Sequence, residues 1–209
     1  MPALNRFLRS MGMVLGLFSF GSIGIASDRP NVLVIMADDL GFSDLGLMGS
    51  EISTPNLDRL ANNGLTFTHF YNCARCGPSR ASLMTGLYSH QVGCYELEPV
   101  EPGNNIFLSE LLGSHGYRTY MSGKWHLGNT PDKLPPARGF DHSYAYEGCC
   151  GSFWDPQIYI LESPEVPPIK YGPNEFHATD ATTDYAVRFL QHHSAAEDEE
   201  TPFFLYLAY

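Results

Sequence analysis

The stretch Arg29-Pro30-Asn31-Val32-Leu33-Val34-Ile35-Met36-Ala37-Asp38-Asp39-Leu40-Gly41 is a continuous apolar run that ends abruptly in two carboxylates. A run without polar alternation predicts a buried strand of a parallel sheet, here over Asn31 to Ala37. Successive side chains on a strand point to opposite faces, so Asp38 and Asp39 converge only if the chain leaves the pleat, which Gly41 permits. Two neighbouring carboxylates repel each other unless a cation neutralises them, and a hard divalent ion is the natural partner. The plain alternative is a solvated strand end, where aspartate is common.

Working outward, apolar runs alternate with amphipathic stretches. Helices are expected over Pro55 to Asn62, with a stop at Gly64, over Pro78 to Thr85, and over Leu108 to His115, stopped by Gly116. Strands are expected over Thr66 to Tyr71, from Tyr117 into Gly123-Lys124, and over Phe203 to Ala208. Asp180 to His193 has the period of an amphipathic helix, whereas the Pro-rich, aromatic segment from Pro131 to Pro173 reads as irregular chain covering or shaping a site. Alternating strands and helices predict an α/β fold, a mostly parallel sheet with helices on both faces. In such sheets ligands bind at strand exits and helix starts.

Two of those places carry reactive groups. Cys76-Gly77-Pro78-Ser79-Arg80, followed by Thr85-Gly86, sets a cysteine at the start of a short helix, with proline in its first turn and glycine at its exit. The N–H groups and dipole of a helix start favour an anion, either a thiolate or a bound oxyanion. Arg80, one turn on, offers a fixed fork of donors that suits an oxyanion. The segment Tyr117-Arg118-Thr119-Tyr120-Met121-Ser122-Gly123-Lys124-Trp125-His126-Leu127-Gly128 runs a strand into a loop. Its spacing puts Lys124 and His126 on one face, with Trp125 turned toward packing. A surface lysine, a satisfied core histidine and an ordinary buried cysteine are the structural alternatives. Cys73 and Cys76 also form a C-x-x-C, which a redox or zinc site would use, but no second ligand pair stands at zinc-site spacing.

Taken together and in this order, the Asp38-Asp39 strand end, the C-x-P-S-R motif at Cys76 and the G-K-W-H-L-G segment resemble the type I sulfatases of the alkaline phosphatase superfamily. Ser53-Thr54-Pro55-Asn56-Leu57-Asp58-Arg59-Leu60 and Arg138-Gly139-Phe140-Asp141 add weaker matches. The resemblance implies an alkaline phosphatase-like fold and hydrolysis of sulfate esters. It implies oxidation of Cys76 to formylglycine by a formylglycine-generating enzyme, and a divalent cation, usually calcium, held by Asp38, Asp39 and the modified Cys76. Lys124 would contact the sulfate, His126 would hydrogen-bond the formylglycine and assist its regeneration, and Arg80 would act in catalysis, stabilising charge on the sulfuryl oxygens with Lys124 and the cation. A sulfated small molecule or saccharide is the implied substrate. Phosphonate or phosphate ester hydrolysis, a chemistry of the same superfamily, is the alternative, as is a non-catalytic fragment. The family continues past a strand like Phe203 to Tyr209 into a histidine-bearing loop, an Asp-Asn metal pair and a further lysine. Residues 27–209 are therefore read as the N-terminal part of a catalytic domain, truncated at the C-terminal side.

Arg6 and Arg9 precede an apolar stretch from Met11 to Ile25, with small residues through Ala26. That is the pattern of a secretory signal over residues 1–26, so an exported protein is expected: periplasmic, secreted, or on a lysosomal route. The stretch is short for a membrane span, and no stable span is expected after cleavage. Loss of Arg6 and Arg9 takes the formal charge from −11 to −13, which argues against a nucleic-acid partner. A sulfated substrate would need a local positive site, which the cation, Arg80 and Lys124 supply. Apart from Cys76, the four cysteines Cys73, Cys94, Cys149 and Cys150 allow three pairings, with none preferred.

Overall fold

The computed structural model describes residues 29–209, apart from 97, 102, 104 and 197–199. The expected signal segment, residues 1–26, lies outside the described residues. Among the described residues, no helix is long and apolar enough to cross a membrane.

Five strands form one sheet: β1 (Val32–Met36), β2 (Arg118–Lys124), β3 (His142–Tyr146), β4 (Tyr159–Glu162) and β5 (Phe203–Ala208). Their order is β1-β5-β2-β3-β4. The first four run parallel, with Val34 opposite Tyr206 and Met121 opposite both Tyr206 and Ser143. β4 is antiparallel to β3 at the far edge. The α/β expectation is thereby met, and the physical reason is visible in β5. Its Phe204 and Tyr206 enter one core and Leu205 and Leu207 the other, so a strand buried on both faces has no polar positions.

Helices α2 (Cys76–Thr85) and α3 (Leu108–Ser114) lie on one face, and α4 (Ala178–Ala195) on the other. The first core joins Ala81 and Met84 of α2 to Met121, Trp125, Phe140 and Phe204. The second joins Ala181, Tyr185 and Phe189 of α4 to Tyr120, Tyr144 and Leu205, with the rings of Tyr144 and Tyr185 stacked 3.8 Å apart. Helix α1 (Pro55–Asn62) keeps its predicted bounds, with Pro55 in its first turn. It sits beside the turn at Gly46–Met48, where Asp58 accepts from the Leu47 N–H at 3.0 Å.

Three local expectations differ from the structure. β1 is buried on one face only: Val32, Val34 and Met36 pack on the first core, while Leu33 and Ile35 are 48% and 49% exposed at the sheet edge. Thr66 to Tyr71 forms no strand, and Phe67, Phe70 and Tyr71 are exposed. A β-prone sequence becomes a strand only when another strand takes up its hydrogen bonds, and these residues meet none among those described. Conversely, the segment read as irregular holds β3 and β4. The buried face of β2 recruits the Tyr-rich run His142–Tyr146, a tertiary pull that its proline-rich flanks conceal.

The carboxyl ends of β1, β5 and β2 come together through an unusually close approach. Gly123 has φ +110°, and a Cβ there would stand 1.8 Å from the Ala208 carbonyl oxygen. Only glycine lets these two backbones meet.

Candidate active site

The site residues stand where that convergence places them. After β1, the chain is held to the end of β5 by Tyr209 N–H to Met36 O at 2.9 Å and Asp38 N–H to Tyr209 O at 3.2 Å. Asp39 then adopts a left-handed backbone, φ +56°, so the chain leaves the pleat immediately after the strand. Aspartate is one of the few residues that tolerate that conformation. Asp38 and Asp39 consequently line the same cavity of about 600 Å³, together with Cys76, Lys124, Cys149 and Cys150. A second cavity of about 460 Å³ shares Asp38, Asp39 and Lys124 and extends toward Tyr146, Ser152 and Tyr159.

Helix α2 starts two residues earlier than its proline suggests. Cys76 is its first residue, behind the extended Arg75, and the left-handed Gly86 closes it. Cys76 is half-buried and faces the cavity from the helix's positive end. Gly77 is close-packed, since a Cβ there would meet the Glu96 carbonyl oxygen at 3.3 Å and the His126 carbonyl oxygen at 3.7 Å. The helix start is thereby fixed against the loop that follows β2.

Arg80 does not reach outward. It is 0% exposed, and its guanidinium donates to the Lys124 carbonyl at 2.9 Å and the Tyr206 hydroxyl at 3.1 Å. It also lies 3.4 Å from the Asp38 carboxylate. Lys124 Nζ donates to that same carboxylate oxygen. Burial pushes the Asp38 carboxyl up, but the Lys124 hydrogen bond and the charges of Arg80 and Lys124 outweigh it and hold the group below its usual range.

Trp125 turns into the core, 0% exposed, with Lys124 and His126 on the site side. His126 arrives there by a left-handed backbone, φ +56°, rather than by strand alternation. Its Nδ1 is buried with no hydrogen-bond partner among the described residues. Burial, then the charges of Lys124 and Arg80, lower its pKa, and Asp38 opposes them only in part. The imidazole is thus held neutral, the form that accepts a proton or a metal.

One neighbour was not legible in the sequence. Donor atoms of Cys76, His126 and Cys149 all lie within 4.8 Å of one another. Cys149 had no partner assigned by spacing, and the loop carrying it reaches Cys76 only because β3 lies beside β2. All five cysteines are free thiols. The arrangement presents a thiol, an ammonium and two carboxylates around one cavity, with the His126 imidazole beside the thiol. Its oxygen donors Asp38 and Asp39 suit a hard cation such as calcium.

A family model described as Sulfatase matches residues 30–209. The chain belongs to the sulfatase family. Among curated proteins, this sulfatase chain is 33% identical over 208 residues to the arylsulfatase of Klebsiella aerogenes, covering 90% of this chain and 44% of that protein. It is 34% identical to the N-acetylgalactosamine-6-sulfatase of Canis lupus familiaris, covering 94% of this chain and 42% of that one. Among solved structures, Ps i-CgsB superposes with a TM-score of 0.72 at 38% identity, over 87% of this chain and 45% of that chain. The phosphonate monoester hydrolase of Agrobacterium radiobacter, at 24% identity and a TM-score of 0.56, shares the fold. The sulfatase chain thus spans less than half the length of these curated relatives.

Proposed function

We propose that the whole protein is a sulfuric ester hydrolase of the arylsulfatase type, of which residues 27–209 form the N-terminal part of the catalytic domain. The observation that carries this reading is Cys76 at the first position of α2, facing a cavity lined by Asp38, Asp39 and Lys124. Conversion of Cys76 to formylglycine by a formylglycine-generating enzyme, followed by addition of water to the aldehyde, would give a gem-diol, one hydroxyl of which attacks sulfur. A calcium ion on Asp38 and Asp39 would offset negative charge and acidify that nucleophile.

The chain's own groups have separable tasks in this scheme. Lys124 orients the sulfate, its ammonium standing at the cavity wall beside Asp38. His126, kept neutral by burial and by Lys124 and Arg80, takes up the proton released when sulfate leaves position 76. Arg80 is a positioning residue: it clamps the Lys124 carbonyl, Tyr206 and Asp38, and so holds the ends of three strands in register. A serine at position 76 would lack the second hydroxyl through which the sulfate ester is released.

A sulfated saccharide is the proposed substrate class. One solved neighbour, 33% identical with a TM-score of 0.67, is described in complex with its substrate D-glucosamine-2-N,6-O-disulfate. Export through a signal at residues 1–26 accords with that class. The test is expression of the full-length protein beside a formylglycine-generating enzyme. Hydrazide labelling and peptide mass should show an aldehyde at position 76, and aryl sulfate hydrolysis should disappear in Cys76→Ala. An unmodified thiol, with Cys76→Ala equal to wild type, would overturn the proposal. Faster turnover of a phosphonate ester than of an aryl sulfate would favour the alternative chemistry.

A further inference from the structure

A second cluster of ligating groups lies at the opposite end of the same strands. His142 opens β3, His192 stands in the last turn of α4, and Glu165 follows β4. One donor atom from each lies within 4.8 Å of the others. His142 Nε2 and His192 Nε2 approach the same Glu165 oxygen at 3.9 Å and 3.8 Å. A cavity of about 70 Å³ borders all three, with Arg118, Tyr120 and His193 on its walls.

We propose that His142, Glu165 and His192 form a zinc site remote from the sulfate-ester cavity. The separations are too long for hydrogen bonds, so these groups converge without satisfying one another. Tetrahedral ligands at zinc bond lengths stand about 3.3 Å apart, so binding draws the three groups together, with the largest movement at Glu165. That residue is 68% exposed on its side chain and has room to move. His142 is already oriented: its Nδ1 bonds the Ser163 hydroxyl at 2.7 Å, which leaves Nε2 for a metal, the usual arrangement of a ligating histidine. The floor is braced by a 3.0 Å bond between the Tyr120 hydroxyl and His193 Nδ1. The C-terminal end of α4 adds partial negative charge.

Two imidazoles and one carboxylate select a borderline transition metal over calcium or magnesium. Arg118 on the wall further disfavours a hard cation held by charge alone. Three protein ligands leave a fourth position open for water.

The site is tested with zinc and cobalt alone, independently of any sulfatase activity. Full-length protein carrying Cys149→Ser, which removes the competing thiol beside Cys76, should bind one equivalent of zinc when excess calcium fills the Asp38 and Asp39 site. With cobalt it should show a tetrahedral visible band lacking thiolate charge transfer. His192→Ala and Glu165→Gln, at partly exposed and exposed positions, should each weaken zinc by tenfold or more and erase the band with unchanged melting of the metal-free protein. Ser163→Ala should weaken it about tenfold through loss of His142 orientation. Zinc affinity unaltered by His192→Ala and Glu165→Gln, or abolished by Cys149→Ser alone, would overturn the proposal.

Discussion

The buried guanidinium of Arg80 donates to the hydroxyl of Tyr206 at 3.1 Å, tying the helix that begins at Cys76 to the strand lying between β1 and β2. The same group bonds the Lys124 carbonyl and pairs with Asp38. Arg80→Met therefore leaves several buried acceptors without a donor. We expect a loss of about 3 kcal/mol, the low end for a broken buried pair, because Asp38 keeps Lys124 and some water. Tyr206→Phe, which removes the bond from Arg80 and a weak one to Met36 Sδ, should cost about 1 kcal/mol. Urea denaturation of the two variants checks both values, and equal losses would contradict the clamp.

Gly123 is irreplaceable for a geometric reason. Any Cβ would overlap the Ala208 carbonyl oxygen, so Gly123→Ala must push β2 and β5 apart at the ends that carry Lys124 and Tyr209. A loss above about 4 kcal/mol is expected, in the range reserved for core disruption. Soluble yield and thermal melting report it. A variant that melts within a few degrees of the parent would show that the strands separate at little cost.

The ligand role proposed for Asp39 coincides with a backbone requirement. Asp39→Asn keeps a side chain that tolerates φ +56° and removes only the charge. Calcium binding, read by calorimetry on the full-length protein, should weaken about tenfold or more while the metal-free melting point stays put. Asp39→Val should add a backbone penalty of about 1–2 kcal/mol. Calcium affinity unchanged in both variants would remove Asp39 from the ligand set.

Cys149 lies close enough to report on the state of Cys76. In protein whose Cys76 is still a thiol, diamide should take two electrons and two protons and leave a 76–149 disulfide. The donor atoms lie within 4.8 Å, against a bond length of about 2.05 Å, so the sulfurs must close by less than about 3 Å. Peptide mapping should find the linked pair, and fully converted protein should not form it. Oxidation confined to the Cys149 and Cys150 pair, whose sulfurs are 3.3 Å apart, would refute the prediction.

The elements around the site were legible wherever the signal was local. α1 and β5 fall on their predicted bounds because a first-turn proline and a fully apolar run mark them directly. β3 and β4 were missed, and a strand at Thr66 to Tyr71 was expected in error, because pairing depends on a neighbour that no window of sequence contains. Lys124 and His126 do share the site, yet they do so through the left-handed turn at His126 rather than through strand alternation.

The sequence by itself determined the family, the parallel α/β fold, and the placement of Asp38, Asp39, Cys76 and Lys124 at strand and helix ends. Those features rest on periodicity, capping and short motifs, all of which act over one or two turns of chain. Only the tertiary structure decided that Arg80 faces inward, that Lys124 reaches Asp38 across β5, and that Cys149 sits beside Cys76. The meeting of His142, Glu165 and His192 was decided in the same way. Each of these contacts joins segments far apart in sequence, and it is the strand order, fixed by burial on both faces of the sheet, that brings them together.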